Sequence, residues 1–422
     1  LKVNKLKKIY LTSIGCKVNH YEIQLLREKL LNAKCKIVDD FRLADICIIN
    51  TCTVTSKSDH KSKKIIQKIS KKNPTSIIAA IGCCVNNEFS CTRGMDGVSF
   101  FVGNKKKDTV TKMLGLKTDN EINYITDYFN RDRAFVKIQD GCDNYCSYCI
   151  VAYTRGKARS RSKEDILKEI SLLTAKGFRE IVLTGINIGY YGRDLGLSLR
   201  DLLNDCLKIR NLGRLRLSSL NPEDISPELI ELICTNDKIC DHLHISIQSG
   251  DSQILKMMNR KYNREDLLNL LDALRKKSPD MGLSGDFICG FPGEDEEMFK
   301  NTLRLVTDFD FIKTHVFTYS DRKKTAANKM KPKITDRIKK QRSAVLKNAS
   351  YDSATRFLSK FKNKELNVLI EQKVDKESGL LGGYSQNYIK TLVKNATNNL
   401  RGKITRVKVS DLDNNQVVSC LI

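Results

Sequence analysis

Cys142, Cys146 and Cys149 stand as C-x-x-x-C-x-x-C within Gly141-Cys142-Asp143-Asn144-Tyr145-Cys146-Ser147-Tyr148-Cys149. Three thiolates on one short loop can ligate three corners of a single cubic iron-sulfur cluster, which leaves the fourth iron without a protein ligand. An iron that lacks a thiolate can bind a small molecule, so the spacing suggests a reactive cluster rather than one that stores electrons. Zinc is the rival occupant, but zinc sites usually add a fourth Cys or His nearby and none follows here.

The element that must present this loop is the apolar run Ala134 to Ile138, read as a strand. Further upstream, Ile9 to Ile14, Asp45 to Asn50 and Thr75 to Ile81 read as strands. They alternate with helical patterns at Tyr21 to Asn32 and Ser56 to Lys72, the stretch Gly15 to Asn19 being read as a turn. The alternation predicts a doubly wound parallel sheet, whose crevice lies at the carboxyl ends of the strands. Cys16, Cys52 and Cys83 each follow the end of a different strand, so they can converge there and carry a second cluster with an open iron. Cys84 and Cys91 rival Cys83; the preference for Cys83 rests on its following Gly82 as Cys16 follows Gly15. Of the 15 cysteines, Cys35, Cys47, Cys206, Cys234, Cys240, Cys289 and Cys420 lie in apolar settings and read as packing residues.

Downstream of the three-Cys loop come roughly six strand-helix repeats, which predict a partial parallel barrel with its chemistry at the strand carboxyl ends. Those ends carry Thr184-Gly185-Ile186-Asn187, Ser218-Ser219-Leu220-Asn221 and Gln248-Ser249-Gly250 around one mouth, with Asp286 inside a later strand. Thr184, Gly185, Asn187, Ser218 and Gln248 are therefore candidates to hold a cofactor, each with a plain turn as the alternative. Arg155, Arg159 and Arg161 follow the loop, and arginine there can clamp a carboxylate or a phosphate. After a long helix from Ile334 to Lys360, strands at 366–370, 384–393 and 402–409 predict a small β-module. Its Lys390, Lys394, Arg401, Lys403, Arg406 and Lys408, with Tyr384 and Tyr388, are suited to RNA.

The chain of 422 residues is long enough for two or three domains. The expected divisions are 1–125, 126–360 and 361–422, with a polar linker over 104–134. Its formal net charge of +25 favours a polyanionic partner. The surplus is +12 over residues 1–125, +9 over 126–360 and +4 over 361–422, so the first third is the most basic per residue. The helix at Ser56 to Lys72 alone holds seven lysines against Asp59. No long apolar run argues for a membrane span, and Leu1 to Lys8 lacks the apolar centre of a secretory signal, so a cytoplasmic location without membrane contact is expected.

In this order, Gly15-Cys16-Lys17-Val18-Asn19, Asn50-Thr51-Cys52-Thr53-Val54, Gly82-Cys83 and Gly141 to Cys149 resemble the radical S-adenosylmethionine methylthiotransferases over nearly the whole chain. His242 to Gly250, Gly285 to Glu294 and His315 to Ala327 are similar to later family blocks, and the tail is similar to the TRAM module. The resemblance implies that Cys142, Cys146 and Cys149 hold a 4Fe-4S cluster that chelates S-adenosylmethionine and cleaves it to a 5′-deoxyadenosyl radical, with Arg161 and the mouth residues among the cofactor contacts. It implies a second 4Fe-4S cluster on Cys16, Cys52 and Cys83, which delivers sulfur to carbon 2 of an adenine, a further S-adenosylmethionine supplying the methyl group. Lys17-Val18-Asn19 followed by Tyr21-Glu22 is similar to the branch acting on N6-threonylcarbamoyladenosine next to the tRNA anticodon. The implied partners are a tRNA anticodon stem-loop and an electron donor such as flavodoxin or ferredoxin. The alternatives are the isopentenyladenosine branch, the branch acting on a ribosomal-protein aspartate, and a noncatalytic metal-containing RNA-binding protein.

Overall fold

The computed structural model describes residues 6–85, 95–116, 123–128, 131–413 and 415–422. They form two compact units: Leu1–Thr126, Asp140–Arg159 and Ser320–Asn328 in one, Asp127–Gln139, Ser160–Tyr319 and Lys329–Ile422 in the other.

The first unit is built on β1 (Lys8–Ser13), β2 (Lys36–Val38), β3 (Ile46–Thr51), β4 (Ile77–Gly82) and β5 (Phe100–Val102). They make one all-parallel sheet in the order β2-β1-β3-β4-β5. Every residue of β3 is buried, as a central strand covered on both faces requires. Successive side chains alternate between faces. Ile46 and Ile48 meet Leu26 and Leu30 of α1 (Lys17–Asn32), whereas Cys47 and Ile49 meet Ile66 and Ile69 of α2 (Ser56–Lys72). Helices thus cover both faces, as a doubly wound sheet demands.

Two local expectations are corrected. Gly15 to Asn19 is not all turn: α1 begins at Lys17 because Val18 and Tyr21 bury against the sheet and fix the first helical turn. Residues 104–113 are no linker either, since a 3-10 turn leads into α3 (Val110–Met113) and Val110 joins the core beside Val102. The helix α4 (Val151–Arg155), which had no clear periodic signal, follows the three-Cys loop.

In the second unit, β6 (Arg133–Lys137) leads to the short ribbon of β7 (Gln139–Asp140) and β8 (Arg159–Ser160). The strands β9 (Glu180–Thr184), β10 (Arg214–Leu217), β11 (His242–Gln248), β12 (Gly282–Cys289) and β13 (Phe311–Thr318) follow. The parallel triplets β10-β9-β6 and β11-β12-β13 are joined by bridges at Leu215–Ile239 and Leu220–Ile245, giving an open, six-stranded parallel wall. The connecting helices are α5 (Lys163–Ala175), α6 (Leu199–Leu207), α7 (Pro227–Thr235), α8 (Ser252–Met257), α9 (Arg264–Lys277) and α10 (Glu296–Asp308). The sequence reading passed over α7, although Ser226 caps it and Pro227 opens it.

A long α11 (Asp336–Ser359) precedes a closed barrel of β14 (Glu365–Val374), β15 (Leu381–Ser385), β16 (Lys390–Lys394), β17 (Ile404–Asp413) and β18 (Gln416–Leu421). The stretch read as one strand from 384 to 393 is two, because Tyr388 adopts a positive φ and the Ser385 hydroxyl bonds Asn387 inside the turn. The final strand β18 was not foreseen, yet it closes the barrel between β16 and β17.

This module covers the amino ends of the parallel strands. Glu180, fully buried at the start of β9, receives Arg214 Nε at 2.6 Å and Arg216 Nε at 2.7 Å, with Arg133 Nη1 at 3.9 Å. The same guanidiniums donate to main-chain carbonyls of the module: Arg214 to Tyr384 (2.7 Å), and Arg216 to Ser385 and Gln386 (both 2.9 Å). Tyr388 stacks between His242 (4.5 Å) and Tyr384 (4.7 Å), and Arg133 lies over the Tyr384 ring at 4.7 Å. The expectation that these two tyrosines face RNA is therefore corrected, because both are half-buried in the joint. Lys390, Lys394, Arg401, Lys403, Arg406 and Lys408 are exposed as expected.

Candidate functional site

Within the first unit, the ends of β1, β3 and β4 deliver Cys16, Cys52 and Cys83 to one place. A Cβ built on Gly15, whose φ is +101°, would fall 2.6 Å from Cys52 Sγ, so only glycine lets the Cys52 thiol lie against the chain beside Cys16. Hydrogen bonds hold the three strand ends together. Asn19 Nδ2 donates to the carbonyls of Ile14 (2.7 Å) and Thr51 (3.0 Å), and the Thr51 hydroxyl donates to the Ile81 carbonyl (2.7 Å).

Solvent reaches Cys16, yet burial by the surrounding protein raises its thiol pKa; Arg155 acts in the opposite sense and Cys83 adds to the rise. Burial likewise pushes Cys52 up to about 11, with Cys83 and Cys16 contributing. The mutual influence places the three sulfurs in one electrostatic neighbourhood. To ligate a metal such thiols would lose their protons to solvent and bind as thiolates. Asn104 Nδ2 donates to Cys83 Sγ at 3.3 Å, while Cys84 points into the α2-side core and toward Asp59 Oδ1 (3.7 Å). Cys91 lies outside the described residues. Of the cysteines read as packing, Cys47, Cys206, Cys240 and Cys289 are buried and Cys35, Cys234 and Cys420 half-buried.

The loop carrying Cys142, Cys146 and Cys149 belongs to the same unit. It opens at Gly141, where φ is +75° and a Cβ would fall 2.0 Å from the Lys157 carbonyl oxygen. The Cys142 amide donates to Gly156 O (3.1 Å), Cys149 N–H turns back to Cys146 O (2.9 Å), and the Val151 amide donates to Cys149 Sγ (3.4 Å). An amide aimed at a sulfur stabilises it as thiolate, which suits a cluster ligand.

Arg155 is buried between the loop and the sheet. Its Nη1 donates to Glu22 Oε1 (2.9 Å) and Asp140 Oδ1 (2.8 Å), and its Nη2 to Asn19 Oδ1 (2.6 Å). It is thus no open carboxylate or phosphate clamp. From the segment Ser320–Asn328, Arg322 pairs with Asp59 (2.6 Å) and donates to the Thr53 carbonyl (2.6 Å), bracing the Cys52 loop. Sequence reasoning missed Asn104 and gave Asn19 and Glu22, named only within the branch motif, no role of their own. Asn19 and Glu22 lie three and six residues after Cys16 on one helical face, a readable signal, whereas Asn104 and Arg322 carried none.

In the second unit the mouth residues cluster at the carboxyl ends of β9, β10 and β11. Thr184, Asn187, Ser218 and Gln248 are buried, and Ser218 Oγ and Asn187 Nδ2 have no hydrogen-bond partner among the described residues. Burial raises the carboxyl pKa of Asp224, with the Asn187 side chain and Arg193 acting in the opposite sense. Orphaned polar atoms at strand carboxyl ends are what a bound polar cofactor would satisfy. Gly185 lies against Gln139, whose side chain accepts from the Ile186 and Asn187 amides (3.1 and 2.9 Å). Arg161 donates to Glu169 (2.6 Å) and to the Lys137 carbonyl (2.9 Å).

Residues 136–306 match the Radical SAM superfamily, and residues 8–103 match the family described as Uncharacterized protein family UPF0004. The chain is 35% identical over 420 residues to the threonylcarbamoyladenosine tRNA methylthiotransferase MtaB of Bacillus subtilis, covering 94% of this chain and 92% of that protein. The chain belongs to the radical S-adenosylmethionine methylthiotransferase family. It is also 33% identical to the tRNA-2-methylthio-N(6)-dimethylallyladenosine synthase of Carboxydothermus hydrogenoformans, over 96% of this chain and 97% of that one. In fold it is similar to the radical S-adenosylmethionine methyltransferase TsrM of Kitasatospora setae, with a TM-score of 0.56 at 14% identity over 74% and 73% of the two chains. As a methylthiotransferase of this family the chain is an enzyme that uses S-adenosylmethionine and two 4Fe-4S clusters. Among the described residues, no helix is long and apolar enough to cross a membrane.

Proposed function

We propose that this enzyme converts N6-threonylcarbamoyladenosine next to the anticodon of tRNA to its 2-methylthio derivative. The observation that carries the reading is the nearly full-length identity to the Bacillus subtilis enzyme of that name. The clusters, when bound, supply reductive cleavage of S-adenosylmethionine and the sulfur for insertion. Cys142, Cys146 and Cys149 hold the first, and Cys16, Cys52 and Cys83 the second. Thr184, Gly185, Asn187, Ser218 and Gln248 receive S-adenosylmethionine, and Arg161 steadies the foot of the loop through the Ile138 carbonyl (2.8 Å). The division of labour follows 1–125 for the sulfur set, 126–360 for the radical barrel and 361–422 for RNA. A small redox protein such as flavodoxin or ferredoxin supplies the electrons in the cytoplasm.

The test is mass spectrometry of tRNA nucleosides from a strain lacking the gene. Loss of 2-methylthio-N6-threonylcarbamoyladenosine is expected. Its persistence together with loss of the methylthio-isopentenyl nucleoside would favour the second reading, which the similarity to the Carboxydothermus enzyme keeps open.

The surface of α2 supports the RNA partner. Lys57, Lys61, Lys64, Lys68 and Lys71 are exposed and recur at steps of four and three, so they form one stripe that starts beside the Cys52 loop. A helix of this length carries the stripe along roughly 25 Å, and Asp59, its one acidic residue, is engaged by Arg322. Replacing Lys61, Lys64 and Lys68 by Ala is expected to weaken tRNA binding and to cut the salt dependence, log K against log salt, by about 2 to 3. An unchanged slope in filter-binding titrations would remove α2 from the interface.

A further inference from the structure

The geometry points to Arg155 as a positioning residue that locks the two cysteine sets into one fixed relation and sets the charge at the Cys16-Cys83 side. The inference rests on the functional reading above and names a residue through which that chemistry is coordinated.

On one side, Arg155 binds Asp140 Oδ1, and the same oxygen accepts the Gly141 amide (2.9 Å) at the threshold of the three-Cys loop. On the other, it binds Asn19 Oδ1, while Asn19 Nδ2 holds the strand ends before Cys16 and Cys52, and Thr51 passes the link to Ile81 before Cys83. A hydrogen-bonded path from Gly141 to the strand ends of all three distant cysteines therefore runs through this guanidinium, beside a second link in which Asn104 joins Cys83 Sγ to the Thr154 carbonyl. Arginine suits the position because its planar fork donates to three separate acceptors at once, which a lysine ammonium cannot match in geometry.

The charge matters as well as the shape. Burial alone would lower the guanidinium pKa, but Glu22, Cys83, Asp140 and Cys16 more than offset it, and the group stays cationic. Lys107 also pairs with Glu22 and Arg159 reaches Asp140 at 4.0 Å, so the two half-buried carboxylates face three cations. A fixed positive charge near thiolate sulfurs stabilises the electron-richer state of the group they hold, so it favours reduction.

Full-length Arg155→Lys and Arg155→Met, reconstituted anaerobically with iron and sulfide, separate shape from charge. Both are expected to keep iron near the wild-type content. In Arg155→Lys, 5′-deoxyadenosine formation should remain within about twofold, while methylthio product per 5′-deoxyadenosine falls about 10- to 100-fold. The midpoint potential of the Cys16-Cys52-Cys83 cluster, read by electron paramagnetic resonance, should stay near wild type in the Lys variant and move to more negative values in Arg155→Met. If Arg155→Met fails to fold, Arg155→Gln, which keeps amide hydrogen-bond donors without the positive charge, carries the same potential measurement. Wild-type coupling in the Lys variant, or wild-type potential in the uncharged Arg155 variant, would overturn the assignment even if the melting temperature dropped. A wild-type enzyme that cleaves S-adenosylmethionine yet modifies no tRNA would instead sink the substrate reading and leave the potentials to judge Arg155.

Discussion

A Cys146→Ala enzyme reconstituted under anaerobic conditions is expected to bind about four irons per chain where the wild type binds about eight. Cys146 is the most buried of its set and its carbonyl accepts the Cys149 amide, so Ala at this position preserves the loop while removing one ligand. Dithionite-driven formation of 5′-deoxyadenosine should fall to background. The cluster on Cys16, Cys52 and Cys83 should keep its spectrum, because Asn19 and Thr51 hold those strand ends without help from the loop's sulfurs. Undiminished 5′-deoxyadenosine would show that the radical arises elsewhere. The reciprocal Cys52→Ala variant should retain S-adenosylmethionine cleavage and lose methylthio transfer.

The largest expected effect on stability lies in the second unit, at Glu180. Burial alone would raise its carboxyl pKa, but Arg216, Arg214 and Arg133 bring it down to about 2. Replacing Glu180 by Gln leaves buried guanidiniums without their counter-charge, and breaking such a pair costs about 3 to 5 kcal/mol. Thermal unfolding of the full chain should register this as a lower melting temperature. The pH dependence has a definite sign. A carboxyl whose folded pKa is depressed contributes stability that is fully present above the ordinary Glu value and lost as pH falls toward about 2. Wild-type protein should thus lose stability on acidification from about pH 4.5 downward, and Glu180→Gln should show a shallower loss over the same window. Parallel curves for the two proteins would mean that Glu180 does not carry that dependence.

What the sequence made legible follows from the range of the interactions involved. The triplet Cys142, Cys146 and Cys149 is local, so spacing alone announces it. Cys16, Cys52 and Cys83 are distant from one another, but each follows a strand end, and parallel topology brings such ends together without any knowledge of side-chain contacts. Residues that work through partners more than a hundred positions away were the ones whose role stayed hidden. Arg155 was visible as a basic residue near the loop, yet its burial against Glu22 and Asn19 depends on a fold contact that no periodicity encodes. Short edge strands such as β2 and β5, each of three residues, fall below the length at which alternation is a signal. Tyr384 and Tyr388 were misjudged because an aromatic ring beside lysines has the same composition whether it waits for a nucleobase or stacks on His242.

The joint at the amino ends of the barrel strands has an implication for exchangeability. Arg214 and Arg216 grip main-chain carbonyls of 384–386, so these hydrogen bonds read the path of the backbone, while Arg216 reads one side chain, the Tyr388 ring at 4.9 Å. A C-terminal module from another protein can be grafted onto this barrel if its 384–386 turn follows the same course and an aromatic replaces Tyr388 against His242. The outer strand, with Arg406 and Lys408 pointing away from buried Val407 and Val409, is then free to change its surface charge without unsettling that joint.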